Sequence, residues 1–296
     1  MTFLAAEHFV RSPEWKWYIL LYFFLAGLSG GSYVLGTMLR LFGRETDAAA
    51  ARLAFLVSFP LLLLCPILLI VDLGQPSRFW HMVIDSGQGG FIFKYLSPMS
   101  VGVWGLFAFG LFSFLSFAGA FAKGRSTSLE FLVEGAGGRV VMVLGSVFGL
   151  FICAYTGVLL SVSNQPVWSD GWPLGGLFVA SAMSGAAALL LLVSRGRPEA
   201  GSSSRAIGEA DRYFVVLEIV LIAAFLVTVG IAGTLSPLFA GAYLILWLLV
   251  AVGVALPLAS YYGLLGARAM SPLVTSLAVL AGVLALRAVV IFGAQS

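Results

Sequence analysis

The 296-residue chain is 60% hydrophobic and only 10% charged, with a formal net charge of +3. A water-soluble globule needs roughly a quarter of its residues charged, so this composition excludes one and makes lipid the solvent. The cations are spread thinly over connecting segments, which argues for orientation signals and against a nucleic-acid surface.

The first residues, with Glu7, His8, Arg11 and Glu14, are too charged for the apolar region of a signal peptide, so the first hydrophobic helix is expected to be retained. Hydropathy then places helices over Lys16–Leu41, Leu53–Leu73, Pro98–Ala122, Arg139–Ser163, Pro173–Ser194, Tyr213–Thr234, Leu238–Tyr262 and Ser271–Gly293. Their apolar runs show no alternation, and hydrocarbon leaves no partner for open backbone groups, so helices rather than barrel strands are expected. The predicted fold class is an all-α integral membrane protein of eight transmembrane helices. It forms one membrane domain over residues 1–296, built as two four-helix bundles in the halves 16–163 and 173–293.

The connections DLGQPSRFWHMVIDSGQGG and SNQPVWSDGWP are rich in Gly, Pro and Trp, whereas the Ser/Gly-rich segment from Arg195 to Arg212 reads as a flexible loop. Cations decide orientation. Arg40, Arg44 and Arg52 lie on one face, with Lys123, Arg125, Arg139, Arg195, Arg197, Arg205, Arg212 and Arg268; the other face has Arg11, Lys16, Arg78 and Lys94. Both termini and the DLGQP and NQPVW loops are therefore expected outside the cytoplasm. A short internal match, Phe23–Gly30 (FFLAGLSG) with Phe178–Gly185 (FVASAMSG), is open to two readings: duplicated bundles, or small residues recurring where helices approach closely.

Cys65 and Cys153 fall in apolar segments without CxxC spacing, and His8 and His81 sit in polar flanks. No haem, iron–sulfur cluster or metal is expected in this chain. Ionisable groups in hydrocarbon are costly and need a partner or a purpose. Asp72 ends the second helix, Arg287 lies within the eighth and Tyr155 within the fourth. At about 1.5 Å per residue, Tyr22 lies roughly 10 Å below the outer boundary, Tyr155 roughly 12 Å and Arg287 roughly 9 Å, with Asp72 at the rim. Such a layer offers what a quinone head needs: a phenol or carboxylate to exchange protons, a cation to favour negative charge on the ring, and an apolar surround. The same residues also fit a buried ion pair, a snorkelling group or tyrosines with satisfied hydroxyls. Glu218, placed in the first turns of the sixth helix near the inner side, either pairs with Arg212, reaches water or serves a proton path. Trp15, Trp17, Trp80, Trp168 and Trp172 read as an aromatic belt at the outer interface.

The runs WKWYILLYFFLAGLSGGSYVLG, DLGQPSRFW, SPMSVGVWG, YTGVLLSVSNQPVW and LALRAVVIFGAQ, in that order across nearly the whole chain, resemble the NrfD/PsrC proteins. These are membrane subunits of polysulfide reductase, formate-dependent nitrite reductase and related molybdopterin or haem complexes. The resemblance implies a quinone or quinol site, for menaquinone or ubiquinone, at the extracytoplasmic surface of a bacterial inner membrane. It implies as partners a four-cluster iron–sulfur subunit and a catalytic subunit with molybdopterin or several haems. Carried over by position, Tyr155 and Asp72 take the catalytic roles, and Tyr22, Trp17, Arg287, Ser97, Asn164 and Trp168 the quinone-binding ones. Tyr22 falls where some members carry a histidine, and Ile19 where some carry an asparagine, so the helix-one side departs from the family's pattern. Two other readings stand beside this one: a secondary, proton-coupled transporter using Glu218 and Asp72, and a passive anchor for a redox protein.

Overall fold

The computed structural model describes residues 13–84, 89–123, 131–264 and 271–295. Glu7, His8, Arg11, Arg125 and Arg268 lie outside the described residues. Among the described residues, eight helices are long and apolar enough to cross a membrane: α1 (Trp17–Phe42), α2 (Ala48–Asp72), α3 (Pro98–Ala122), α4 (Gly135–Ser161), α5 (Leu174–Ser194), α6 (Ser204–Ala232), α7 (Tyr243–Tyr261) and α8 (Pro272–Gly293). Their starts follow local chemistry. Ser97 accepts from the Ser100 amide and Ser271 from the Val274 amide, each ahead of a proline at the first helical position.

Helix α1 packs against α2, α4 and α5; α4 also meets α3 and α5; α5 meets α6 and α8; and α7 lies on α8. The chain thus forms a ring of α1–α4 and a ring of α5–α8, joined along α1, α4 and α5. The most buried spans are α1 and α5, and α7 is the least buried. Small residues explain the burial of α1. A Cβ on Gly30 would stand 2.6 Å from the Gly149 carbonyl oxygen, and one on Gly31 2.6 Å from that of Ala182. Only glycine lets α4 and α5 press on α1 from both sides at that depth. The two matching segments meet at this seam, where the rings of Phe23 and Phe178 pack edge to face with centroids 6.1 Å apart.

Two sequence expectations need correction. The segment from Arg195 to Arg212 is not a loop: a single turn, Pro198–Gly201, leads into α6 at Ser204, nine residues before the expected start. The foot of α6 is amphipathic, with Ile207 and Asp211 buried on one face and an exposed Arg205–Glu209 ion pair at 3.2 Å on another, so a hydropathy window misses it. Glu218 consequently sits near the middle of its helix rather than in the first turns, and Arg212 turns outward to stack on Tyr213 and Tyr261 instead of pairing with it. The tryptophan belt also loses members. Trp17, Trp80 and Trp172 are exposed, but Trp168 is fully buried and Trp15 lies against it with ring centroids 5.0 Å apart.

Candidate functional site

Near the face that carries the α2–α3 and α4–α5 connections, here the upper face, lies a cavity of about 150 Å³. Tyr22 from α1, Asp72 from the last residue of α2 and Tyr155 from α4 all line it. The rest of the wall is apolar: Ile19 and Phe23 from α1, Leu69 from α2, and Met99, Val103 and Leu106 from α3 among them. Leu73 and Met99 at the rim are exposed, so the opening lies between α2 and α3 on the flank of the bundle.

Each polar group is held by its own local chemistry. The Tyr155 hydroxyl donates to the Pro98 carbonyl at 2.9 Å, and its ring stacks on Phe151 at 5.6 Å. Gly102 makes room for it: a Cβ there would collide with the phenol ring and hydroxyl of Tyr155. Pro98 is fixed in turn by the Ser97 cap at the start of α3, so Ser97 supports the site one step removed without lining the cavity. Asp72 is half-buried at the rim, and the charge acting on it is that of Lys16, at the start of α1. Tyr22 is buried, with its ring edge-on to Phe23 at 5.5 Å.

Arg287 does not join these groups. It is fully buried, and four of its five N–H groups donate: to the Phe23 carbonyl (3.3 Å), the Ser181 hydroxyl (2.7 Å), and the Val283 (3.2 Å) and Phe178 (3.4 Å) carbonyls. It bridges α8, α1 and α5, and it is not among the residues that line the cavity, whereas Phe23, whose carbonyl it holds, is. Glu218 lies in the other ring, within electrostatic reach of Arg287 and Asp211. Trp17, its ring tilted against that of Tyr18, and the exposed Asn164 do not line the cavity either.

Trp168 acts as a tie. Its indole donates to the Val290 carbonyl at 2.6 Å, while Gln165 donates to the carbonyl of Ala294. Val167 between them takes a φ of 72°, a conformation that β-branched residues rarely adopt and that turns Trp168 inward. Trp168 supports Trp15, which lines the cavity and whose amide donates to the Gln295 side chain at 2.8 Å. Sequence reasoning missed Trp15, Met99 and Gly102 as cavity residues. Gly102 had a signal, since it stands inside the SPMSVGVWG run; Trp15 was assigned to the aromatic belt instead.

A Tyr–Asp–Tyr group around an apolar pocket, with the charge of Lys16 acting on the carboxylate, can bind and exchange protons with a flat ring bearing oxygens. Among the described residues, no group of three or more His, Cys, Asp or Glu is placed to hold a metal ion.

Residues 6–296 match the model of the family described as polysulphide reductase, NrfD. The C component of the polysulfide reductase of Wolinella succinogenes is 29% identical, over 95% of this protein and 94% of its own length. Protein NrfD of Escherichia coli is 27% identical, over 65% of this protein and 63% of its own length. The C component of the selenate reductase of Mesobacillus selenatarsenatis is 31% identical over a shorter stretch, 31% of this protein and 19% of its own length. With the family model matched over nearly its whole length, this chain belongs to the NrfD polysulphide reductase family.

Proposed function

We propose that the protein is the quinone-reacting membrane subunit of a multi-subunit reductase, and that the cavity between Tyr22, Asp72 and Tyr155 holds the quinone head. The relatives named as components of polysulfide and selenate reductases support the setting. The observation that carries the chemistry is the meeting of those three side chains on one apolar void. Its volume of about 150 Å³ matches cavities that accept a single benzene-sized ring, so the redox-active ring of the head fits and the rest of the molecule must leave past Leu73 and Met99 into lipid.

Quinol supplies two electrons and two protons on becoming quinone. The electrons pass to a redox centre in a partner subunit, which this reading takes to be an iron–sulfur protein docked on the upper face and joined to a catalytic subunit. The protons fall to this protein. Tyr155 already gives its own hydrogen to Pro98, so its oxygen is free to accept from a quinol hydroxyl. Asp72 at the rim accepts the two protons one after the other and releases each to water, with Lys16 holding the carboxylate in place. Tyr22 positions the other side of the ring, and the apolar wall excludes water from it.

In the assembled complex, Tyr155→Phe and Asp72→Asn should each lower quinone-dependent turnover by roughly 100-fold or more, the usual worth of a positioned proton-transfer group, with subunit assembly intact. Wild-type turnover in both variants would reject the site.

A further inference from the structure

At the opposite, lower face the first ring encloses another, smaller cavity of about 20 Å³, to which the quinone reading gives no role. Three cations from three helices line it: Arg40 in the last turn of α1, Arg52 in the second turn of α2, and Lys123, which ends α3. Ala48, Ala51 and Phe55 of α2 supply apolar wall. Ordinary structural duties use part of this charge. Arg40 and Lys123 stand at helix C-termini, where a cation offsets the dipole. Arg52 Nε donates at 2.7 Å to the Ala120 carbonyl, one of the last four of α3, which a helix leaves without partners of its own. Among the described residues, the carboxylate that pairs with these cations is that of Glu134 ahead of α4, whose Oε1 stands 3.7 Å from Arg40 and 3.4 Å from Lys123. Three positive charges therefore meet one negative charge around a space that holds one water-sized group. The Arg40 and Lys123 side chains are partly exposed, which gives that space a mouth.

A strip of phenyl rings begins beside it. Phe121 follows Ala120 of the cavity wall, and Phe117 and Phe114 continue the same face along α3. The Phe117 and Phe121 rings stack with centroids 6.0 Å apart, and Phe59 of α2 packs 5.3 Å from both Phe114 and Phe117. Phe114 and Phe121 are exposed, so the strip faces outward on the flank of the bundle. From this placement we infer that the lower end of the first ring binds an anionic phospholipid. One phosphodiester oxygen enters between Arg40, Arg52 and Lys123, the ester arms point out through the mouth, and an acyl chain lies along Phe121, Phe117 and Phe114. Guanidinium and ammonium donors suit phosphate oxygens, and basic pockets between membrane helices take such headgroups. Inorganic phosphate shares this chemistry but gains nothing from the phenyl strip, which is why the lipid is favoured. The site is separate from the quinone cavity and does not depend on that reading.

The full chain, purified in detergent and stripped of lipid, is titrated with dioleoyl phosphatidylglycerol and followed by native mass spectrometry. Each cation near an anionic lipid surface is worth about a factor of five in affinity. Arg52→Gln and Lys123→Gln should therefore each weaken the first bound lipid by about fivefold, while Arg205→Gln, which removes the same charge from the foot of α6 outside the cavity, changes it by less than about twofold. Glu134→Gln should tighten binding, because its carboxylate no longer competes for Arg40 and Lys123; looser binding would show the cations serving Glu134 alone and overturn the site. Dioleoyl phosphatidylcholine, with the same chains and no net charge, should bind more weakly and respond to none of these variants. Equal losses in Arg205→Gln and Arg52→Gln would reduce the effect to diffuse attraction and sink the proposal, as would phosphatidylcholine bound as tightly as phosphatidylglycerol. Displacement of the lipid by millimolar inorganic phosphate would make this a free-phosphate site and overturn the lipid assignment. Arg52→Gln also strips the Ala120 carbonyl of its donor; should that variant fail to fold, Lys123→Gln, whose side chain is 41% exposed, carries the same comparison.

Discussion

The two rings each gather polar groups inside the hydrocarbon, and they use them in opposite ways. In the first, Tyr22, Asp72 and Tyr155 border a void, and the Tyr155 oxygen keeps accepting capacity unspent. Across the seam with the second, Arg287 stands at a similar depth but has given its donors to Phe23, Phe178, Val283 and Ser181. Depth in the membrane therefore does not separate a ligand-binding group from a clamp. What separates them is whether the hydrogen-bonding capacity is already consumed by the protein.

That contrast breaks most visibly at Arg287. Arg287→Ala leaves a hydroxyl, three carbonyls and the buried Glu218 without their cation, and loss of one partner from a buried charge network costs about 3–5 kcal/mol. The expected result is a lower denaturation midpoint in detergent and reduced recovery of the complex. A variant as stable as wild type, but without turnover, would move Arg287 out of the clamp and into the site. The next effect is at Gly102, where the two roles can be told apart within the first ring. Gly102→Ala pushes a methyl group into the space of the Tyr155 phenol. Overpacking of this kind costs about 1–3 kcal/mol, and a shift of about 1 Å in a positioned group can cost up to about 100-fold in rate. Turnover should fall further than stability does; normal turnover would show that the phenol need not occupy its present place.

How far the sequence exposes this arrangement depends on the kind of signal. The spans are legible because a run of about 20 apolar residues matches the thickness of the hydrocarbon layer and little else, and α3 lies over Pro98–Ala122 as expected from sequence. Tyr22, Asp72 and Tyr155 could be placed in one layer by counting rise per residue, but not turned toward one another, since azimuth depends on packing. Arg287 illustrates the gap: it has the right depth and faces the wrong way. Trp168 illustrates another. A tryptophan beside a membrane boundary reads as a belt residue, and only the positive φ of Val167 sends it into the core instead. The foot of α6 failed for a different reason, because its charged residues hide a helix whose buried stripe is Ile207 and Asp211 alone over two turns.

That foot supplies the smallest effect, and one that tests where water ends. Arg205 and Glu209 form an i,i+4 pair at 3.2 Å with side chains 91% and 52% exposed. Pairs of this kind contribute about 0.3–0.5 kcal/mol, because solvent screens the attraction and ordering two long side chains costs entropy. Arg205→Ala should therefore leave turnover, assembly and the denaturation midpoint within error of wild type. A loss of several kcal/mol would mean that the foot of α6 is covered in the assembled complex. Asp211, one turn above Ile207 on the buried stripe, would then stand far from water.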